Sequence, residues 1–343
     1  MKLEKLEWIK KITAKQIAIM CIAMIAIYFI APVSVNVSYE ELNMVGSMGY
    51  SYEEIDIHET HTVYVLHESG YLVKTEVESN EAMSSIESIF TGIQVASDRL
   101  QENVDGLIPQ SALIRDYVVD NQVLILNLSE SFLYYRTKLE ENLLMSLVWS
   151  MTELPEIERI YFQIEGEEIN NLNGGIDVGR GLTRAMGINL EIGAPHVLDT
   201  QMMMLYFLTD DTDDALLVPV TRLVTAEVDP FEYAVSSLVR GPLGASYISV
   251  FNHRATLLES PKVEDGIMTL NFSSELFYNQ EQTQVSSQVI KQLVMTMTEF
   301  EEVQEVSVVI EGSSRVFDDA GNPITVPVSR NTILENAGFV REY

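Results

Sequence analysis

The sequence contains one cysteine, Cys21. No disulfide can form within the chain, so its domains must be stable from their cores alone. Basic residues are also scarce, 21 Lys and Arg against 51 Asp and Glu, for a formal net charge of −30. Five of the basic residues (Lys2, Lys5, Lys10, Lys11, Lys15) crowd into residues 1–15 beside only Glu4 and Glu7. The remainder carries 16 basic and 49 acidic residues, a net of −33. So acidic a body repels phosphate backbones, which argues against nucleic acid as a partner. It also disfavours direct docking on anionic lipid and keeps the body soluble through mutual repulsion.

Sequence signatures of catalysis and cofactor binding are missing too. Val45-Gly46-Ser47-Met48-Gly49 lacks the glycine two residues before the serine that a nucleophile elbow requires. Gly174-Gly175 and Gly179-Arg180-Gly181 do not complete a dinucleotide fingerprint, and no phosphate loop is present. His58, His61 and His67 form a loose cluster with no cysteine nearby to complete a zinc set. No enzyme activity and no cofactor are expected.

One uncharged apolar run is present, from Ile17 to Val33. At 1.5 Å per residue it is just long enough for a hydrocarbon core of about 30 Å. We read 16–35 as a transmembrane anchor, with 1–15 as its cytoplasmic basic segment and 36–60 as an acidic stalk. The alternative is a cleaved signal peptide, for which Phe29-Ile30-Ala31-Pro32 is a poor exit. The expected location is the cell membrane, single-pass, with the body on the extracytoplasmic side. Cys21 sits within the run and serves there as an apolar filler.

The body repeats itself. Leu126-Asn127-Leu128-Ser129, Thr152-Glu153 and Ile164-Glu165-Gly166 recur as Leu270-Asn271-Phe272-Ser273, Thr298-Glu299 and Ile310-Glu311-Gly312. The offset is 144 at the asparagine (127 to 271) and 146 at the other two pairs (152 to 298, 166 to 312). So small a drift means one module present twice. Leu139, Leu143, Leu147, Met151 and Leu154 match Val285, Val289, Leu293, Met297 and Phe300 as helical core stripes.

Within each copy the pattern reads strand, strand, helix, strand, strand, helix, strand. In the second, Asp229-Pro230-Phe231-Glu232 starts a helix that Gly241-Pro242 ends, and Thr256–Val263 and Ile267–Phe272 form a hairpin. In the first, Asn80 caps a helix that runs through Phe90 and ends at Gly92. The expected fold class is α+β, a tandem repeat of a small ββαββαβ sandwich after one transmembrane helix, each with a mixed sheet and two helices on one face. The expected domains are 61–190 (first module with an extension), 191–202 (linker) and 203–343 (second module with a C-terminal tail).

Leu217-Val218-Pro219-Val220-Thr221-Arg222, Leu238-Val239-Arg240-Gly241-Pro242, Asn271-Phe272-Ser273 and Thr296-Met297-Thr298-Glu299 leading to Ile310-Glu311-Gly312 resemble the GerM domain of sporulation and germination proteins. The likeness covers about 63–166 and 203–312. The first module departs from the pattern, with Thr91-Gly92-Ile93-Gln94 in place of Gly-Pro and Trp149-Ser150-Met151-Thr152 in the long helix. The resemblance implies an anchored pair of modules that supports envelope complexes during spore formation. The expected function is a non-enzymatic scaffold of the sporulation and germination envelope machinery, with envelope proteins as partners and peptidoglycan within reach. The alternative is a ligand-binding module for calcium or a cell-wall glycan.

Candidate site residues are few. Asp210, Asp211, Asp213 and Asp214 offer oxygen ligands in one turn, without the spacing of a calcium hand, so a solvated acidic turn is the simpler reading. Arg222, Arg240 and Arg254 are rare positive charges on an acidic body and the first candidates for partner contact, with surface salt bridges as the plainer role. Glu153/Glu299 and Glu165/Glu311 are repeated, and they read as helix and strand terminators.

Overall fold

The computed structural model describes residues 60–80, 82–100, 107–196, 199–210, 215–244, 247–278, 283–324 and 327–336. Every described residue belongs to one compact unit, Ile57–Tyr343. The basic segment, the anchor and nearly all of the stalk lie outside the described residues, as do Asp211, Asp213 and Asp214. Among the described residues no helix is long and apolar enough to cross a membrane.

The first module runs β1 (Thr60–Leu66), β2 (Leu72–Glu78), α1 (Ser85–Leu100), β3 (Ile114–Asp120), β4 (Val123–Leu128), α2 (Glu140–Met151) and β5 (Arg159–Ile164). Short strands β6 (Glu167–Glu168) and β7 (Glu191–Ile192) follow. The second runs β8 (Thr200–Thr209), β9 (Leu217–Thr225), α3 (Pro230–Arg240), β10 (Tyr247–Ile248), β11 (Lys262–Glu264), β12 (Ile267–Phe272), α4 (Ser287–Met297) and β13 (Glu305–Ile310). It closes with β14 (Val328–Ser329) and α5 (Arg330–Asn336). The ββαββαβ order therefore holds twice, with the two-residue β10 added in the second module, in an α+β fold.

The expected single sheet per module does not form. The last three strands of each module make a small mixed sheet, β3-β4-β5 extended by β6, and β11-β12-β13 extended by β14. In each, the long helix crosses over between parallel partners, α2 between β4 and β5 and α4 between β12 and β13. The two leading hairpins instead join each other in a central sheet ordered β1-β2-β9-β8-β10, with β7 also on β9. The reason is geometric. Both faces of α2 and α4 are buried, so each helix lies between its small sheet and the central one. One hydrophobic core runs through both modules.

The joint between β2 and β9 is antiparallel, at Lys74 and Leu217. Tyr64 pairs with Lys74 and Leu66 with Leu72 on one side, as Tyr206 pairs with Pro219 and Leu208 with Leu217 on the other. The modules are thus related by a pseudo-twofold axis between β2 and β9. The symmetry mate of the Lys74–Leu217 pair is Pro219–Leu72, where proline has no N–H to donate. Asn189 fills the gap. Its Oδ1 accepts the Leu72 N–H at 2.8 Å, and its Nδ2 lies 2.7 Å from both the Leu72 and Pro219 carbonyls. It does so with φ at 46°, a conformation asparagine tolerates better than most residues.

The outer edges of this sheet are closed by the long helices. Ser146 and Ser150 of α2 bond the carbonyl and the N–H of Tyr64, the latter at 2.9 Å. Gln292 and Thr296 of α4 do the same for Tyr206, both at 3.0 Å. These four polar side chains are fully buried because each replaces a missing neighbouring strand. Ser150 performs the task of Thr296, so the departure of the first module from the family pattern is chemically conservative there.

Three boundaries differ from expectation. Helix α1 is capped by Ser84 and Glu87 in a reciprocal capping box rather than by Asn80. It also passes through Gly92 instead of ending there, because a Cβ at 92 would stand 2.6 Å from Val77 Cγ2. The glycine marks close approach to β2, not a helix end. Strand β11 begins only at Lys262, after Pro261, which cannot donate to a ladder. Within 191–202, Glu191–Ile192 form β7, and β8 begins at Thr200.

Asn189→Ala strands one N–H and leaves two carbonyls unpaired at the joint. We expect a loss of about 2–4 kcal/mol in urea unfolding. A loss under about 0.5 kcal/mol would show that water replaces the side chain without penalty.

Candidate functional site

Each module builds a polar node from the same three side chains. In the first, Tyr64 Oη donates to Glu153 Oε1 at 2.7 Å, and Arg184 Nη2 reaches that same oxygen at 2.7 Å. Arg184 also donates to the Thr152 hydroxyl at 2.7 Å and lies 4.6 Å over the Trp149 ring. In the second, Tyr206 Oη donates to Glu299 Oε1 at 2.9 Å, and Arg330 Nη2 donates to that same oxygen at 2.5 Å. Arg330 also donates to the Thr298 hydroxyl at 3.0 Å and the Met295 carbonyl at 2.9 Å.

The repeated Thr-Glu pair now has a cause. Each threonine ends its helix by bonding back to a carbonyl, Thr152 to Val148 and Thr298 to Val294, both at 2.7 Å. The same hydroxyl accepts from the arginine, which places a cation at the helix C-terminus, where the macrodipole favours it. The next residue, the glutamate, then turns toward the tyrosine of the edge strand. The other repeated pair closes a turn. Glu165 and Glu311 adopt positive φ (49° and 47°), and the following glycine N–H bonds to Asn127 or Asn271 Oδ1 at 2.8 and 3.1 Å.

Lys74 lies between the nodes. It faces Tyr64 across the hairpin, and its Nζ is 3.9 Å from Glu153 Oε2. It is 6% exposed and feels both glutamates and both arginines, so the two nodes form one electrostatic cluster. Burial lowers the Lys74 ammonium, against the pull of Glu153. Burial alone would raise the Glu153 carboxyl, but Lys74, Arg184 and the Tyr64 hydrogen bond hold it below the ordinary carboxylate value. Burial, followed by nearby charge, pushes the Tyr64 and Tyr206 hydroxyls well upward. At neutral pH the tyrosines are neutral donors and Glu153 is an anion. The cluster is built to hold charge-assisted hydrogen bonds rather than to move a proton.

Of the three arginines expected to meet a partner, the structure removes Arg222. It is 2% exposed and donates to Glu191 Oε2 through Nε and Nη2 at 2.7 and 2.5 Å. Glu191 is its neighbour on β7, and Tyr247 Oη and the Leu243 N–H share the other carboxylate oxygen. Arg222 faces inward because alternation along β9 puts it on the core side with Val218, Val220 and Val224. Arg240 and Arg254 are exposed, and Asp210 is an exposed residue at the end of β8.

A cavity of about 780 Å³ lies between α3 and residues 253–260, lined by Glu232, Tyr233, Arg240, His253, Leu258 and Glu259 among others. Its carboxylates have local partners. Asp229 caps α3, Glu232 accepts from Ser260 at 2.6 Å, and Glu259 pairs with Lys262 at 2.6 Å. His61 and His67 stand at opposite ends of β1, about 20 Å apart by strand rise, and His58 lies outside the described residues. Among the described residues no three His, Cys, Asp or Glu converge on a metal position.

Sequence reasoning missed Tyr64, Lys74, Arg184, Tyr206 and Arg330. The two arginines were within its reach. Carrying the 146-residue offset past the Glu-Gly pairs brings Arg184 onto Arg330.

A doubled α+β module sharing one sheet, with the same Tyr-Glu-Arg node in each half, defines a tandem-repeat class of protein. The family model for sporulation and spore germination, Germane, matches residues 62–170 and 204–316. The chain belongs to that family. It is 28% identical over 287 residues to the spore germination protein GerM of Bacillus subtilis strain 168, covering 81% of this chain and 78% of the relative. It also superposes on the solved tandem GerMN domains of the B. subtilis sporulation protein GerM with a TM-score of 0.69 and 26% identity, covering 79% of this chain and 98% of that one. A role in sporulation or spore germination follows at the level of the family.

Three outcomes test the node. Glu153→Ala strands Arg184, Lys74 and Tyr64 Oη, and we expect a loss of about 3–5 kcal/mol in urea unfolding. Lys74→Met removes a buried charge while Arg184 still pairs with Glu153, and we expect a change within about 1 kcal/mol. Because the folded carboxyl of Glu153 titrates below its unfolded value of 4.5, its contribution is complete above that pH and lost as pH falls through the folded value. Unfolding titrations below about pH 4.5 should show a shallower acid slope in Glu153→Gln than in the parent chain.

Proposed function

We propose that the protein is a non-enzymatic scaffold, anchored through 16–35 and presenting its doubled body to envelope proteins on the extracytoplasmic side of the membrane. One observation supports this most directly. The polar groups that the two modules repeat are paired with one another, and within each module they hold the long helix to the sheet edge. An active site needs groups left free to meet a substrate. Family membership supports the cellular setting, and the acidic surface fits a protein that contacts other proteins rather than nucleic acid.

The cavity beside α3 favours a second reading, binding of a cell-wall glycan. Tyr233 offers a ring face, and Arg240 and His253 offer polar contacts.

One experiment separates the two. The full-length chain is recovered by affinity from cells entering spore formation, with and without its second module. The scaffold reading expects envelope proteins that depart when the second module is deleted. Recovery of wall fragments alone overturns it and favours the cavity.

A further inference from the structure

Most of the described sheet edges are covered or short. The outer edge of β1 is covered by α2, and β8 is covered by α4 and β10. Strands β5 and β13 carry β6 and β14. In the second module the outer edge is interrupted, because Pro261 precedes the three residues of β11 and only Leu257 and Leu258 rejoin β12 before it. The first module keeps a seven-residue strand at the equivalent position, β3, whose one strand neighbour is β4. Past a register shift between Ile114 and Asp116, residues 116–120 pair regularly with β4, and an extended edge of this kind is a template for a further strand.

The register tells which groups it offers. Asn121 and Gln122 close the β3–β4 hairpin as a two-residue turn, so Asp120 and Val123 are a hydrogen-bonded pair. By alternation, Val118 and Asp116 also point their backbone groups at β4. Tyr117 and Val119 point theirs outward. Their side chains pack on the core, while Asp116, Val118 and Asp120 lie on the solvent face, with Val118 55% exposed. The presented pattern is acid, apolar, acid.

That pattern selects its occupant. A second copy pairing antiparallel about Val118 would set Asp116 against Asp120 twice, like charges directly opposite. The net charge of −30 adds repulsion between copies. We propose that β3 binds an extended segment of a partner protein as an added strand, one whose solvent-side residues run basic, apolar, basic. This names a docking site for the scaffold role proposed above and rests on that reading.

The test uses the full-length chain with two synthetic six-residue peptides, one alternating lysine with valine and one alternating glutamate with valine. The lysine peptide should bind saturably and slow amide exchange at Tyr117 and Val119 by about tenfold or more, and the glutamate peptide should not. In Asp116→Lys/Asp120→Lys the preference should invert, a gain that misfolding cannot produce. In Val119→Pro, which removes one outward N–H and no β3–β4 bond, affinity for the lysine peptide should fall about tenfold. Absence of binding, protection elsewhere, protection of these amides by self-association, or an unaltered preference in the charge-reversed chain would each overturn the proposal. Should the chain still recover envelope proteins from sporulating cells in that event, the scaffold reading stands and only the β3 site falls.

Discussion

Everything in this body hangs on the antiparallel contact between β2 and β9. Because the two hairpins pair there, neither module owns the sheet against which its helices pack. The joint is also where the duplicated sequence is least equal. Lys74 stands on one side of the axis and Pro219 on the other, and Asn189 restores the hydrogen bonds that the proline cannot make. A side chain held at positive φ thus completes a backbone ladder.

Around that joint, the same few groups serve both local and global order. An i, i+4 pair of polar residues on each long helix replaces a neighbouring strand for the edge tyrosine. The threonine and glutamate at the end of that helix then hold the arginine that follows the small sheet. Helix end, sheet edge and chain return are therefore tied at a single place in each module. In the low-dielectric interior such linked bonds strengthen one another, and breaking one leaves the others unpaired. The three cations and two carboxylates of the combined cluster also give this acidic body a locally cationic centre.

Much of the fold was legible because the core stripes of α2 and α4 and the turn signals are local. Asp229-Pro230 and Gly241 bound α3 as their chemistry demands, and Asp265-Gly266 closes its hairpin. What was hidden depends on long-range partners. Gly92 looks like a helix end until Val77 is seen against it. Arg222 looks like a surface cation until Glu191 arrives from a segment that reads as linker. The nodes combine residues up to 124 positions apart (Tyr206 to Arg330), and no window along the chain contains them. The sharing of the central sheet was equally invisible, since a hairpin carries no mark of which neighbour it will choose.

The pseudo-twofold has an evolutionary consequence. A single module using this surface would be an isologous dimer, and each residue near the axis would act twice. Lysine at the position of Lys74 would then bring a second buried ammonium to the axis. Proline at the position of Pro219 would delete a donor from both halves of the ladder. Fusion into one chain removes that obligation, so one copy can carry the charge and the other the ring. The duplicated gene can explore pairings that a symmetric assembly forbids.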